Sequence, residues 1–478
     1  MTTLVWFRQD LRIKDNPALF EAARKGRVLP VFILEPAEQA GETHPLGGAS
    51  LWWLHHSLAS LKADLPGLIF LRGSARHLIP QLAKEVEAEA VFWNRCYEPH
   101  AIERDTDLKK VLKEDGFEVK SFKASLLFEP WELETKSGGP FKVYSPFWKA
   151  AQQKTIDDAL PAPEKLEFAD YDGGETLESF DLLPTKPNWA KGWEDCWQPG
   201  EAGAVERLEG FFEEGLKGYG TLRNRPDLPN VSRLSPHLHF GEISPRQIWH
   251  ATQKVMDRKS SVAGDGMKFL SEIAWREFAY HLLYHFPKLP SDNWRSTFDA
   301  YPWQEPGDAL EKWQKGQTGY PIVDAGMREL WQTGYMHNRV RMIVASFLIK
   351  HLRIHWHHGE AWFRDTLVDA DLANNSASWQ WVAGSGADAA PYFRVFNPIT
   401  QGEKFDPEGV YIRKWVPELR DLDTHYLFAP FDAPAETLKK AGITLGETYP
   451  KPLVDHAKAR KAALDGYESV KQAGQDAA

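Results

Sequence analysis

The amino-terminal quarter of the chain alternates short apolar runs with segments of helical spacing. The runs have the length of strands and lie at Thr3–Phe7, Val28–Leu34, Leu68–Leu71 and Ala90–Trp93, and a further predicted strand, Glu118–Phe122, closes the series. Between the second and third runs, leucines recur with helical spacing across Ser50–Leu61. Because helical segments separate the strands, the pattern predicts an α/β domain built on a doubly wound parallel sheet.

The pattern changes after this first domain. From residue 126 to residue 199, proline and glycine cluster among acidic residues, which predicts a long connector over the surface. Later apolar residues recur with helical spacing, and the predicted helices are Val205–Leu216, Pro245–Val255, Gly266–Phe286, Ala309–Lys315, Ile322–Gln332, His337–Leu352 and Gly359–Leu367. We therefore predict an α/β domain over 1–125, a connector over 126–200 and an all-α domain over 201–478.

The composition limits the function classes. The 57 basic and 67 acidic residues give a net charge of −10, which argues against a generally basic nucleic-acid coat protein but allows a local basic patch. Two cysteines cannot form a disulfide framework, and neither a signal peptide nor an apolar run of membrane-spanning length is visible, so we expect a cytoplasmic protein. The 20 tryptophans exceed common usage and indicate stacking on flat ligands or electron transfer in addition to core packing.

One strongly apolar helical segment carries polar residues that are candidates for chemistry. Arg341 lies in its first turn, and a buried guanidinium is costly unless a carboxylate or a phosphate pairs with it. Asp369 and Asp371 are the candidate partners, either in a structural ion pair or beside a ligand. Asn338 and Met342 share one helix face with Arg341, which suits the floor of a pocket better than a core.

Two other segments combine polar side chains with indoles. Asn375 lies shortly before Trp379 and Trp381, which is typical either of a heterocycle site or of a capped helix start with core tryptophans. Glu272 and Trp275 stand three residues apart and share a helix face. They would either bind a flat substrate or form a surface ion pair beside a half-buried indole.

Hydroxyl and basic residues ahead of Pro245 form a third pattern. The stretch from Tyr219 to Arg225 precedes Val231–Ser235, and such a hydroxyl-rich turn would hold a diphosphate or be an ordinary solvated loop. This stretch contains more arginines than the binding of one diphosphate requires, so we expect some of them to have another role. The histidines from 351 to 358 are interpreted as a solvated helix end, so we expect no metal site.

These segments together resemble the photolyase/cryptochrome family over nearly the whole chain. Leu4–Arg12 is similar to the family's opening strand and turn. The segments that resemble its flavin-domain motifs are Trp275–Phe278, Gly319–Ala325, Met336–Met342, Trp379–Trp381 and Asp388–Pro398. Because the motifs occur in the family's order, the resemblance is specific. It implies an N-terminal α/β antenna domain and an all-α C-terminal domain that binds FAD and DNA.

The resemblance also implies which residues hold FAD. The cofactor-binding residues would be Tyr219, Val231, Ser232, Arg233, Leu234, Ser235, Glu272, Arg341, Asp369, Ala370, Asp371 and Asn375. Among these, Tyr219 and Val231–Ser235 would grip the phosphates, and Arg341 would pair with Asp369. Asn375 falls where photolyases that repair cyclobutane pyrimidine dimers place an asparagine facing flavin N5.

The resemblance further implies light-dependent repair of UV-damaged DNA by electron transfer from excited reduced FAD to a dimer flipped out of the duplex. The residues that match the lesion pocket are Glu272, Trp275, Asn338, Met342 and Trp381. The DNA-binding residues would be Arg223, Glu272, Trp275, Asn338, Arg339, Arg394 and Gln401. The tryptophans that reduce the flavin in light would be Trp303, Trp356 and Trp379. We therefore expect a monomeric carbon–carbon lyase that acts on damaged DNA.

Departures from the family pattern leave the antenna chromophore open. His100 and Ala101 stand where folate-binding class I enzymes have Asn-Glu. Gly47–Trp53 offers an indole for a folate to stack on, as in class III bacterial photolyases. Methenyltetrahydrofolate is therefore the first expectation, with a deazaflavin, a flavin or no antenna as alternatives. Phe269 also replaces a tryptophan found near the flavin of class I enzymes.

Other functions compete with dimer repair. A cryptochrome-type blue-light photoreceptor would share the fold and FAD, but the intact pair of Trp275 and Met342 and the short tail after Leu453 favour repair. A (6-4) photolyase is disfavoured because Asn338–Met342 occupies the segment in which that group carries an active-site histidine pair. A nonenzymatic single-strand DNA-binding protein would not need the aspartate–arginine arrangement.

Overall fold

The computed structural model describes residues 1–389 and 393–476. Ala390, Pro391 and Tyr392, which belong to the motif Asp388–Pro398, lie outside the described residues. The chain forms two compact units. The first contains Met1–Tyr219, Ser232–Lys288 and Val368–Asn374, and the second contains Gly220–Val231, Leu289–Leu367 and the described part of Asn375–Ala478. These units are groups of packed residues rather than sequence segments, so the division into 1–125, 126–200 and 201–478 stays a prediction.

The first unit is built on a parallel sheet. Its strands are β1 (Thr2–Phe7), β2 (Arg27–Leu34), β3 (Ile69–Arg72), β4 (Ala90–Asn94), β5 (Glu118–Phe122) and β6 (Glu167–Phe168). They lie in the order β3-β2-β1-β4-β5, with β6 beside β2, and each of these pairings is parallel. The order changes direction at β1, as in doubly wound folds. The predicted α/β fold with a doubly wound parallel sheet is confirmed.

Helices flank this sheet and continue beyond it. They are α1 (Pro17–Lys25), α2 (Ala37–Ala40), α3 (Gly48–Asp64), α4 (Ala75–Glu85), α5 (Pro99–Glu114), α6 (Tyr144–Ala151), α7 (Glu201–Gly210), α8 (Tyr219–Leu222), α9 (Ser235–His239), α10 (Pro245–Arg258) and α11 (Ala263–His285). The core of the sheet includes Trp6 on β1 and Trp93 on β4, whose rings meet edge to face with centroids 6.2 Å apart.

Helix α6 lies within the segment predicted as a connector. Its buried residues include Tyr144 and Phe147, and the ring of Phe147 packs 5.2 Å from that of Phe278 on α11. Isolated helices of this length are unstable in water, so tertiary burial of its aromatic residues accounts for the helix. The connector was predicted from its proline and glycine content, which gives no information about tertiary packing, so the prediction missed α6.

The second unit is helical in the part of the chain that the structure describes. Its helices are α12 (Gly307–Gln314), α13 (Pro321–Thr333), α14 (Asn338–Ser346), α15 (Trp356–Thr366), α16 (Leu372–Ala383), α17 (Pro398–Phe405), α18 (Val410–Trp415), α19 (Thr424–Leu427), α20 (Ala435–Lys440) and α21 (His456–Asp476), the first residues of α16 belonging to the first unit. A π-helical turn at Phe347–His351 extends α14. The predicted all-α C-terminal fold is confirmed.

Candidate functional site

Glu272 and Trp275 lie on one face of α11, as their spacing predicts. The carboxylate of Glu272 pairs with Lys268 one turn earlier at 2.7 Å, and its side chain is 25% exposed. Trp275 is half-buried, and Tyr144 covers one face of its indole with ring centroids 3.7 Å apart. Phe278 meets the same indole edge to face at 5.9 Å. A partly exposed carboxylate therefore shares a helix face with an indole that has one face covered.

A hydrogen bond joins two of the predicted cofactor-binding residues. The hydroxyl of Ser235 at the start of α9 donates to the carboxylate of Asp369 at 2.5 Å. Arg233 has a φ of 51°, a left-handed conformation that is uncommon for a side-chain-bearing residue and turns the chain sharply before α9. Leu234 is buried after this turn, and its amide donates to the hydroxyl of Ser232 at 3.4 Å. The structure thus places four predicted cofactor-binding residues, Ser232–Ser235, in one turn, and the last of them bonds to Asp369.

Tyr219 is buried at the start of α8 within a small aromatic cluster. Its ring meets those of Phe211 and Phe269 edge to face at 5.5 and 5.6 Å. Phe269, which stands in place of a family tryptophan, is therefore a core residue beside a predicted cofactor contact. Val231 is half-buried.

Asp371 caps the first turn of α16. It accepts hydrogen bonds from the backbone amide of Asn374 at 2.8 Å and from the Asn374 side chain at 2.9 Å. Burial raises the pKa of Asp371 to about 6, against the opposing effects of Arg276 and Asn374. Ala370, the preceding residue, is also buried. Asp371 therefore caps the start of this helix, and the remaining lone pairs of its carboxylate can accept from a ligand.

The amide of Asn375 is oriented by Glu360. Its nitrogen donates to the carboxylate of Glu360 at 2.8 Å and to the backbone oxygen of Glu360 at 3.1 Å. Both residues are buried, and burial raises the pKa of Glu360. Because the amide hydrogens point at Glu360, the oxygen Oδ1 is the atom that can accept from a ligand. The sequence patterns missed Glu360, since its contact with Asn375 joins two helices, α15 and α16.

Trp303, Trp356 and Trp379 gather around the start of α15. Trp356, its first residue, is fully buried. The ring of His355 lies 5.5 Å from Trp356 and 4.7 Å from the half-buried Trp303. Trp379 lies across Gly359, where an added Cβ would come within 2.1 Å of the indole. The structure therefore brings the three predicted electron-transfer tryptophans into one region of the second unit.

Helix α14 presents the other predicted pocket residues. Asn338 is exposed at its first position, and Met342 is half-buried one turn later on the same face. The Nε of Arg341 donates to the backbone oxygen of Met336 at 2.7 Å. The pairing of Arg341 with Asp369 stays a prediction.

Arg339 is the centre of a basic group. Two of its N–H groups donate to the side-chain oxygen of Asn224 at 2.7 and 3.2 Å, and its guanidinium lies 4.5 Å from the centroid of the Phe405 ring. Burial lowers the pKa of Arg339, and the positive charges of Arg223 and Arg394 lower it further. Phosphate ligands would relieve the repulsion among these three arginines.

Two further predicted site residues, Trp381 and Gln401, lie on α16 and α17, which follow each other along the chain. Trp381 is half-buried near the end of α16, and its indole Nε1 donates to the backbone oxygen of Asp388 at 3.0 Å. Gln401 is half-buried in α17, which begins with the side chain of Asn397 accepting from the Ile399 amide. The orientation of the Trp381 indole is therefore fixed by the segment that follows its own helix.

The indoles considered for an antenna are packed inside the first unit. Trp53 is buried and donates from Nε1 to Glu242 at 3.0 Å. Trp52 is also buried, with its ring 5.3 Å from that of Trp193. Burial lowers the pKa of His100. The identity of the antenna stays open.

The interpretation of the histidine cluster as a solvated helix end is wrong for His351. Its side chain is buried, and its ring stacks against His456 with centroids 5.1 Å apart. Among the described residues, no group of three or more His, Cys, Asp or Glu side chains could hold a metal ion. No described helix is long and apolar enough to cross a membrane.

Two family models match the chain. Residues 3–164 match the family described as DNA photolyase, and residues 269–469 match the FAD binding domain of DNA photolyase. The FAD-binding character implied by the C-terminal motifs is therefore confirmed.

Individual proteins are similar over the full chain. It is 53% identical over 476 residues to a deoxyribodipyrimidine photo-lyase from Agrobacterium fabrum, covering 98% of each chain. It is 38% identical over 488 residues to cryptochrome-2 of Arabidopsis thaliana, covering 98% of this chain and 79% of that protein. Among solved structures, a bacterial class III photolyase from Agrobacterium tumefaciens matches with a TM-score of 0.95 and 52% identity over 98% of each chain.

Proposed function

This chain belongs to the photolyase/cryptochrome family, and we propose that it repairs cyclobutane pyrimidine dimers in DNA with light. The observation that carries the proposal is the indole of Trp275, which has one face covered by Tyr144 and shares a helix face with the carboxylate of Glu272. A flipped-out dimer offers pyrimidine rings for stacking and N–H groups for a carboxylate. The similarity to a class III photolyase supports the same class for this chain.

The residues present fit FAD as the cofactor. The oxygen of Asn375 is free to accept from the flavin because Glu360 takes the amide hydrogens. The buried carboxylate of Asp371 has acceptor sites left for a cofactor hydroxyl or amine. Tyr219 and the turn Val231–Ser235 would hold the diphosphate, and the roles of Asp369 and Arg341 towards the flavin stay predictions. When bound and reduced, FAD supplies the light-excited electron that opens the cyclobutane ring and receives it back.

The chain's own residues bind and orient the dimer. Trp275 offers an apolar wall that replaces base stacking, which a flipped base loses. Trp381 matches the family's lesion pocket by motif, and its place in that pocket stays a prediction. Glu272 accepts a hydrogen bond from a pyrimidine N–H and fixes the orientation of that ring. Asn338 and Met342 share one face of α14, and their place on the floor of the lesion pocket stays a prediction.

A local basic group explains how a protein of net charge −10 binds DNA. The positive charges of Arg223 and Arg394 act on Arg339 and lower its pKa, in addition to the effect of burial. We assign these three arginines and Gln401 to backbone phosphates, which position the duplex without reading its sequence. Glu272 and Trp275 would then contact the lesion itself, and a contact of Asn338 with it stays a prediction.

Replacing Arg339 with alanine should weaken binding to dimer-containing DNA and reduce its salt dependence. Each lost phosphate contact lowers the slope of log K against log salt by about 0.9. Repair per bound complex should survive, because Arg339 positions the duplex and takes no part in the chemistry. The check is an equilibrium binding titration at several salt concentrations.

The matched control is Arg24→Ala, which removes the same charge from an arginine whose side chain is 70% exposed on α1. It should leave affinity and slope near those of the parent chain. Unchanged affinity and slope in Arg339→Ala would show that Arg339 is structural and that the DNA face lies elsewhere.

Three further proposals concern the oligomeric state, the compartment and the antenna chromophore. We propose that the protein acts as a monomer on damaged DNA in the cytoplasm. We also propose methenyltetrahydrofolate as the antenna, supported by the similarity to a class III photolyase. The indoles of Gly47–Trp53 do not support it, because Trp52 and Trp53 are buried against other side chains. Release of a folate from the denatured protein would test the antenna.

A blue-light photoreceptor is the second candidate, because the chain is 38% identical to a plant cryptochrome. Dimer selectivity separates the two functions. The repair enzyme should bind a dimer-containing oligonucleotide much more tightly than the same intact sequence, since only the dimer fills the pocket at low unstacking cost. Equal affinity for the two oligonucleotides, with FAD bound, would favour the photoreceptor.

A further inference from the structure

We propose that Tyr144 is a positioning residue for the lesion pocket: it holds the indole of Trp275 so that one face alone remains for the pyrimidine dimer. This inference rests on the proposed function, because Tyr144 has this role only if the indole of Trp275 is a wall of the lesion pocket. It adds a residue from α6, far in sequence from the motifs that resemble the family's pocket.

The contact between the two rings is a close parallel stack. Their centroids lie 3.7 Å apart, and their planes differ by 10°. Most other described aromatic contacts on α11 are tilted or edge to face, including those of Trp275 and Tyr144 with Phe278 at 5.9 Å. The ring of Tyr144 therefore covers one indole face, and no second flat group can stack there.

Hydrogen bonds attach Tyr144 to the same helix. Its hydroxyl donates to the backbone oxygen of Ser271 at 2.6 Å and lies 2.9 Å from the Ser271 hydroxyl. Ser271 precedes Trp275 by four residues, so its carbonyl is the one that the amide of Trp275 bonds within the helix. Tyr144 thus contacts both the side chain of Trp275 and the backbone turn that carries it.

Tyr144 is itself held in place. It is 7% exposed, and burial raises the pKa of its hydroxyl, which therefore stays protonated as a donor. Phe147, one turn later on α6, packs against Phe278 and His281 of α11 with ring centroids 5.2 and 5.4 Å apart. The helix α6 is anchored along α11, which fixes the stack before any ligand arrives.

A fixed indole has a consequence for binding. A free Trp275 side chain would have to lose rotamer freedom when the dimer stacks on it, and preorganisation removes that cost. Aromatic stacks are worth enough to change an affinity by a few-fold to about tenfold. Loss of Tyr144 should therefore weaken binding of the dimer specifically, because intact duplex does not use the pocket.

The test measures the ratio of affinities for a dimer-containing oligonucleotide and the same intact oligonucleotide, using the flavin-loaded protein. Tyr144→Leu removes the ring and should lower this ratio about three- to tenfold. Tyr144→Phe keeps the ring without the hydroxyl and should restore the ratio to within about twofold of the parent. Near-ultraviolet circular dichroism should change in Tyr144→Leu and not in Tyr144→Phe.

FAD content and melting temperature separate positioning from folding. If Tyr144→Leu loses FAD or unfolds, Tyr144→Met, which fills the space with a flexible chain, takes its place in the assay. A ratio that stays at the parental value in the folded Leu or Met variant overturns the inference. Trp275→Ala is the reference: if it also leaves the ratio unchanged, the proposed lesion pocket fails and the inference fails with it.

Discussion

Replacing Trp356 with phenylalanine is expected to block light-driven reduction of bound oxidised FAD while leaving dimer repair intact after chemical reduction. The indole of Trp356 is fully buried at the start of α15, and its Nε1 donates to Asn293 at 2.9 Å. Phenylalanine keeps most of the ring volume but is far harder to oxidise. Each 1.36 kcal/mol of added barrier slows an electron-transfer step about tenfold. We expect the harder oxidation of phenylalanine to add at least two such increments, so the rate of photoreduction should fall by more than about a hundredfold.

The measurement is the rate at which flavin absorbance bleaches under blue light with an external reductant. Repair of dimer-containing DNA is assayed in parallel after dithionite treatment. Trp249→Phe is the control, because Trp249 is also buried but lies in α10 of the first unit. Normal photoreduction in Trp356→Phe, with full FAD content, would exclude Trp356 from the electron path.

Replacing Trp275 with alanine should produce the opposite defect. Photoreduction should proceed, whereas dimer binding and repair should fall, because one stacking wall of the lesion pocket is gone. Stacking of a base on an aromatic side chain is worth about 1–3 kcal/mol, so we expect an affinity loss between about fivefold and 150-fold. Binding titrations with dimer-containing and intact oligonucleotides, together with the bleaching assay, check this prediction.

The two variants are informative as a pair. If both indoles served only as core residues, both variants would lose stability and FAD together, and both assays would fall. The melting temperature and the FAD content are therefore measured beside the two activities. The same defect in both assays for both variants would contradict the separation of an electron path from a lesion pocket.

The fold was predictable where burial imposes a period on the sequence. Strands β1 to β5 were located from the sequence with shifts of at most one residue at an end, and β1, β2 and β4 are buried apolar runs. Strand β6 was missed because its two residues are too few to show a period. Helix α6 was missed because its eight residues are stabilised by packing against α11, which no local pattern reports. The short helices after Phe405 were missed for the same reason: each is too brief to show a helical period.

Parts of the candidate site were predictable by resemblance but not their supporting contacts. Asn375 was identified by its motif, whereas its orienting partner Glu360 lies 15 residues earlier and meets it only in the folded unit. Arg339 likewise bonds to Asn224, 115 residues away in sequence. Such contacts depend on tertiary packing, so spacing within a motif carries no information about them.

Repair of a defined dimer in light distinguishes a repair enzyme from a photoreceptor with the same fold. The purified protein with chemically reduced FAD is mixed with an oligonucleotide that carries one cyclobutane thymine dimer, and samples are kept in blue light or in the dark. Restored thymines are followed by the return of absorbance at the base band and by chromatography. We expect many repaired dimers per protein molecule in light and none in the dark. Tight, FAD-dependent binding of the dimer without any repair in light would contradict the proposed repair function.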